Sequence, residues 1–98
     1  MKGYLVLDFS IIDLDKFMEY AKNIPDFIGK HGGRYLVQGS EPETMEGDWS
    51  PERLVILEFP STAKAREFLG DPDAQSLFSV RHRTTLSKLI LAEGCANA

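Results

Sequence analysis

The sequence predicts an α+β chain with the order strand, helix, strand, strand, helix, strand, and three observations carry that expectation. Runs rich in Tyr, Val, Ile, Leu and Phe recur at Lys2–Ser10, Arg34–Gln38, Arg53–Phe59 and Thr85–Glu93, and such residues suit a pleated backbone. Two intervening stretches carry apolar residues at helical spacing behind capping side chains. Gly and Pro punctuate the boundaries at Gly32-Gly33, Pro60, Gly70 and Pro72, where the chain must turn or cannot continue a helix.

Each element has its own local cause. After the first strand, Asp13 offers an N-cap, and Leu14, Phe17, Met18, Ala21 and Ile24 form one apolar stripe. Pro25 is expected to kink or restart that helix, because it lacks the N–H that the helical ladder needs. Phe27 and Ile28 extend the stripe to a cationic last turn at Lys30 and His31, and Gly32 or Gly33 supplies the left-handed stop. Ser61 caps a second helix with Ala65, Phe68 and Leu69 inward, which ends at Gly70. Asp71 and Pro72 are a second cap followed by a proline at the first helical position, so Asp73 to Arg83 resumes the helix with Ala74, Leu77, Phe78 and Arg81 on one side. The pair counts as one broken helix.

This order is the ferredoxin-like βαββαβ unit, a four-stranded antiparallel sheet with helices on one face. In a monomer of that kind the second face meets water and should be polar. Here Leu5, Leu7 and Phe9 oppose Tyr4, Val6 and Asp8; Val55, Leu57 and Phe59 oppose Leu54, Ile56 and Glu58; Leu89 and Leu91 oppose Leu86 and Ile90. With both faces largely apolar and no residues left over, the expected cover is the same sheet of a second subunit. That gives a homodimer closed as a dimeric α/β barrel. Residues 1–94 are expected to form the single domain and residues 95–98 a disordered tail.

Composition narrows the function classes. The 98 residues are 43% hydrophobic and 27% charged, with a net charge of −4, an ordinary globular balance sufficient for one modest core. Nucleic acid is not an expected partner, because phosphate-backbone binding needs clustered Lys and Arg and Leu54–Leu57 has no aromatic platform. The only cysteine is Cys95, which rules out an internal disulfide and a thiolate zinc site. No metal site, nucleotide loop or recognisable Ser-His-Asp set is present, and no cofactor is expected. The run Tyr4–Leu7 is too short for a signal segment, and no stretch nears the ~20 apolar residues of a membrane span, so a cytoplasmic protein is expected.

The pattern GGRYLVQG at residues 32–39, EGDWSPERLVILEFPS at residues 46–61, a helix carrying Arg81 and a closing strand resembles a dimeric α/β-barrel family catalogued as domain of unknown function thirteen-thirty. The resemblance spans nearly the whole chain, with Gly32-Gly33-Arg34-Tyr35 and Glu46-Gly47-Asp48-Trp49 its most specific parts. Ala74 departs from it, standing where the family often has an aromatic, which puts in doubt the shape of any pocket lined by that helix. The resemblance implies the barrel fold and no assigned reaction. The wider superfamily it points to includes cofactor-free monooxygenases, lactone isomerases and haem-handling enzymes, and fold kinship is a weak guide to chemistry.

The chemistry-bearing residues are few. The second and third strands are joined by a long acidic connection where a two-residue turn would serve, which suggests a loop with work of its own. Trp49 within it is either a pocket wall or a loop anchor. Arg34 and Arg53 sit at strand ends, where a guanidinium can fork onto a ligand carboxylate or onto Glu46, Asp48 or Glu52. Arg81 lies on the apolar side of its helix and so needs an anion opposite it. His31 could act as a general acid or base, or simply complement a helix end. The expected function is a small anionic or aromatic-acid ligand site between sheet and helices, edged by Arg34, Trp49, Arg53 and Arg81. The alternatives are a cofactor-free monooxygenase- or isomerase-like enzyme and a structural dimer without ligand.

Overall fold

The computed structural model describes residues 1–96. Strand β1 (Gly3–Ile11) leads into helix α1 (Leu14–Lys30), followed by β2 (Arg34–Ser40) and β3 (Arg53–Phe59). Helix α2 (Thr62–Leu69), a 3₁₀ turn (Pro72–Ala74) and helix α3 (Gln75–Thr84) then lead to β4 (Thr85–Glu93). The four strands form one antiparallel sheet in the order β2-β3-β1-β4, so the most apolar strands, β1 and β3, are central. Asn97 and Ala98 of the expected tail lie outside the described residues, and Gly94 N–H is bonded to Lys2 O at 2.7 Å.

The caps act as their chemistry dictates. Asp13 accepts from Lys16 N–H at 3.2 Å, and Ser61 from Lys64 N–H at 3.1 Å. Each satisfies one of the N–H groups a helix start leaves open. Gly32 adopts φ +78°, and Gly33 N–H returns to Ile28 O at 2.8 Å, closing the end of α1. Gly33 serves packing instead: a Cβ there would fall 2.6 Å from the Phe59 ring, so only glycine lets β2 start against that side chain.

Two helical expectations are corrected. Helix α1 runs unbroken from Leu14 to Lys30 through Pro25; the proline removes only one ladder donor, and the buried Ile24 and Ile28 on either side hold both halves to the sheet. Its buried stripe is Phe17, Tyr20, Ile24 and Ile28, whereas Leu14 and Met18 are 56% and 52% exposed. At about 100° per residue, Met18 lies more than a quarter turn from Phe17 and falls on the flank of the stripe.

Strand β1 alternates strictly, with Leu5, Leu7 and Phe9 buried beneath the helices. Phe59, Phe68 and Phe78 continue that core as a chain of rings with successive centroids 5.3 Å apart. On the opposite face, pairing aligns Val37, Ile56, Val6 and Ile90 in one apolar row across all four strands, and Ile90 is 61% exposed. Strand β2 does not alternate cleanly. Its register shifts between Tyr35 and Val37 and again between Gln38 and Ser40, and such bulges redirect side chains. Tyr35 and Gln38, three residues apart, thus both reach the helix side of the sheet, where they line one cavity.

Candidate ligand cavity

Between the sheet and helices α1, α2 and α3 lies a cavity of about 230 Å³. Its walls are the inward residues of β1 and β3 together with the buried stripe of α1, so the packing that builds the core also shapes the space, which opens to solvent beside the exposed Gln38 and Arg53. Five aromatic side chains line it: Phe9, Phe17, Tyr20, Tyr35 and Phe68. Two guanidinium groups reach it, Arg81 in the wall and the exposed Arg53 near Gln38 and Gly39. No carboxylate and no imidazole is among the lining residues. The cavity is therefore cationic in a chain whose net charge is −4.

Arg81 is the unusual member. It is only 6% exposed, and its guanidinium carbon lies 5.7 Å from the Tyr20 ring centre and 5.4 Å from that of Phe78. Nη1 donates to the Tyr20 hydroxyl over a long 3.4 Å, and Nη2 donates to His82 Nε2 at 3.2 Å. An arginine can only donate, so His82 accepts through that nitrogen. Among the described residues Nε has no partner, and no carboxylate is paired with this side chain. Contact with ring faces offsets part of the cost of burying a cation, but it leaves the Nε–H donor unsatisfied. Burial raises the Tyr20 phenol above its ordinary value, and burial pushes Tyr35 up to about 12. Both are neutral donors at physiological pH.

The other residues singled out by sequence lie elsewhere. Arg34 donates Nε to Glu58 Oε1 at 3.0 Å on the opposite sheet face, where Lys2 and Tyr4 also bond to that carboxylate. The Arg34 hydrogen bond is the main reason the Glu58 carboxyl sits below its usual value. Trp49 is 58% exposed and donates its indole N–H to Asp8 Oδ2 at 2.7 Å, which ties the acidic connection back to β1 outside the cavity. His31 bonds Asp71 Oδ2 at 2.8 Å, as does Lys30. Those two partners, Lys30 first, hold the Asp71 carboxyl far below the ordinary carboxylate range. Ala74 is fully buried but is not a lining residue. The cavity thus brings together Arg53 and Arg81 and leaves Arg34, Trp49 and His31 outside. Gln38 was not foreseen as a lining residue, and the only local signal for it was Gly39, whose φ of +81° marks the irregular strand.

The fold and cavity define an α+β protein with a four-stranded antiparallel sheet, helices on one face and a partly open cavity between the layers. The chain belongs to the family described as Domain of unknown function (DUF1330), which it matches over residues 2–95. A comparison with curated proteins returns no match. Among solved structures, a protein of unknown function from Rhodopseudomonas palustris is similar at 18% identity and TM-score 0.76, covering 96% of this chain and 82% of its own. SnoaB, a cofactor-independent oxygenase from Streptomyces nogalater, is similar at 15% identity and TM-score 0.69, covering 96% and 93%. A dimeric ferredoxin-like protein of unknown function from Jannaschia is similar at 12% identity and TM-score 0.70, covering 96% and 100%. At these identities the likeness is one of fold. Among the described residues, no helix is long and apolar enough to cross a membrane.

Proposed function

We propose that the protein binds a small organic anion in the cavity between sheet and helices. The single observation that carries this is Arg81, a buried guanidinium in the cavity wall whose Nε–H is unpaired and which meets no carboxylate among the described residues. An unpaired buried cation costs several kcal/mol, a cost that a bound carboxylate would offset. The apolar walls suit an organic body, and Tyr20 and Tyr35 add neutral O–H donors. Arg53 joins Arg81 in the proposed site; Arg34 and Trp49 act at the outer sheet face.

The working form in this proposal is a homodimer in which two open sheet faces close an α/β barrel. The apolar row Val37, Ile56, Val6 and Ile90 supports it, as does the dimeric state named for the Jannaschia protein. Such an interface would bury on the order of 800 Å² per subunit. Light scattering at micromolar concentration is then expected to give twice the chain mass, and a monomer there would refute the barrel. A cytoplasmic location belongs to the same proposal and suits the exposed thiol of Cys95.

A second reading, a cofactor-free enzyme, draws on the likeness to SnoaB. Binding without turnover is favoured over it because the lining residues include no carboxylate, imidazole or thiol to serve as acid, base or nucleophile. The deciding experiment is isothermal titration with benzoate, octanoate and inorganic phosphate, using wild type and Arg81→Gln. At least one anion is expected to bind and to lose about 10- to 150-fold in affinity in the variant, the value of one charged hydrogen bond. Equal affinity in both proteins, or no binding at all, would overturn the reading.

A further inference from the structure

The size and the walls of the cavity narrow the anion to one chemical class. We infer that the occupant is a single-ring aromatic carboxylate, with its carboxylate turned towards Arg81 and its ring among the aromatic walls. This rests on the anion-binding reading above and adds ring identity and ring number to it.

Volume sets the ring number. An apolar cavity of about 150 Å³ accepts one benzene ring, so a space of about 230 Å³ scales to roughly nine non-hydrogen atoms. Benzoate has that many. A fused second ring exceeds it, and a short acid such as acetate leaves most of the wall uncovered. Wall chemistry sets the ring type. Phe9 and Phe17 are already stacked, with centroids 5.6 Å apart, and Tyr20 tilts against Phe17 at 5.7 Å. Tyr35 and Phe68 line the same space. Rings so arranged present edges and faces to which a further ring is electrostatically matched, whereas a saturated ring meets them through dispersion alone. Arg81 sets the head group. Its Nε–H is buried and unpaired and its neighbouring Nη2 is held by His82, so a planar carboxylate brought against this side chain answers a donor that no protein anion among the described residues occupies. At the Gln38–Arg53 side of the cavity, amide and guanidinium donors await a polar ring substituent such as a hydroxyl.

The test is titration calorimetry on the full chain with four probes of one charge: benzoate, 4-hydroxybenzoate, cyclohexanecarboxylate and 2-naphthoate. Benzoate and 4-hydroxybenzoate are expected to bind. Cyclohexanecarboxylate, which keeps the head group and nearly the volume, is expected about fivefold weaker, because it lacks the ring quadrupole. Naphthoate is expected about tenfold weaker than benzoate, because a full cavity resists further volume. Leu69→Ala widens the wall at the end of α2 and is expected to bring naphthoate up to benzoate. Should that variant melt early, Ala21→Leu tests the same volume from α1, and benzoate binding is then expected to be lost. Equal affinity for the saturated and aromatic rings, or naphthoate tighter than benzoate in wild type, overturns the single-ring aromatic class while leaving the anion site standing. Failure of every acid to bind, or binding equally in Arg81→Gln, overturns both.

Discussion

On the open face of the sheet Arg34 meets Glu58 at 3.0 Å, and the same carboxylate collects Lys2 and Tyr4; under the helices Arg81 is more deeply buried and meets no carboxylate among the described residues. The first guanidinium is explained by its own chain. The second lies against the rings of Tyr20 and Phe78 in the cavity wall, and its Nε–H is left without a partner among the described residues. What separates Arg34 from the arginine proposed to bind a ligand is whether its charge is already answered, since exposure alone would have pointed to Arg34.

The largest effect expected concerns the two faces as wholes. Phe59→Ala, on the helix side, should cost about 3–5 kcal/mol in denaturant unfolding, because the ring is fully buried. Ile90→Ala, on the open side, should stay within about 0.5 kcal/mol for a lone chain. A larger cost that grows with dilution would instead show that a second subunit covers that face.

Exchanging the two arginines separates their roles more finely. Arg81→Gln should weaken organic acids by roughly 1.5–3 kcal/mol while leaving the ligand-free melting temperature unchanged or higher, because an unanswered buried charge is removed. Arg34→Gln should do the reverse, lowering the melting temperature and leaving acid affinity alone. If both variants lose the ligand, the two faces are coupled and the division drawn between them is wrong.

Acid and alkali probe different groups. Asp71 is lowered chiefly by Lys30 and then His31, and Glu58 chiefly by Arg34. Their stabilising contributions are therefore present above the unfolded carboxylate value of about 4 and are lost as pH falls below it. Asp71→Asn and Glu58→Gln should each flatten the acid side of the stability profile, and Arg81→Gln should not. Tyr35 is raised to about 12 by burial, so stability should fall as pH climbs from about 10 towards 12, while the unfolded phenol is ionised and the folded one is not. Phenolate absorbance in the folded protein should rise only above that window's lower edge, and a bound acid should delay it.

The smallest effect is expected at the loop. Trp49→Phe removes an exposed hydrogen bond to Asp8 and should cost no more than about 1 kcal/mol, with acid affinity unchanged. Loss of binding in that variant would place the connection at the cavity after all.

The order of elements was legible because its signals are local: a capping oxygen, a glycine that can adopt positive φ and a proline that cannot donate act within a few residues. The strand bounds of β3 and β4, the Asp71-Pro72 restart and the inward side of Arg81 were all readable in this way. So was the double-sided apolar character of the strands, which follows from a period of two. The site was only half readable. Arg81 announced itself by charge on an apolar face, but whether a carboxylate answers it depends on residues far away in sequence, and Glu58 turned out to answer Arg34 instead. The loop's content left Trp49 as a pocket wall or a loop anchor, and the position of Asp8 opposite it decided where the indole goes. The bulge in β2 reversed the side on which Gln38 falls, a choice made by pairing with β3 and not by β2's own composition. By itself the sequence determined which backbone each segment adopts, because helix and strand preferences are set between near neighbours. Only the tertiary structure decided which charges meet and which remain open, because that depends on where distant side chains are brought together.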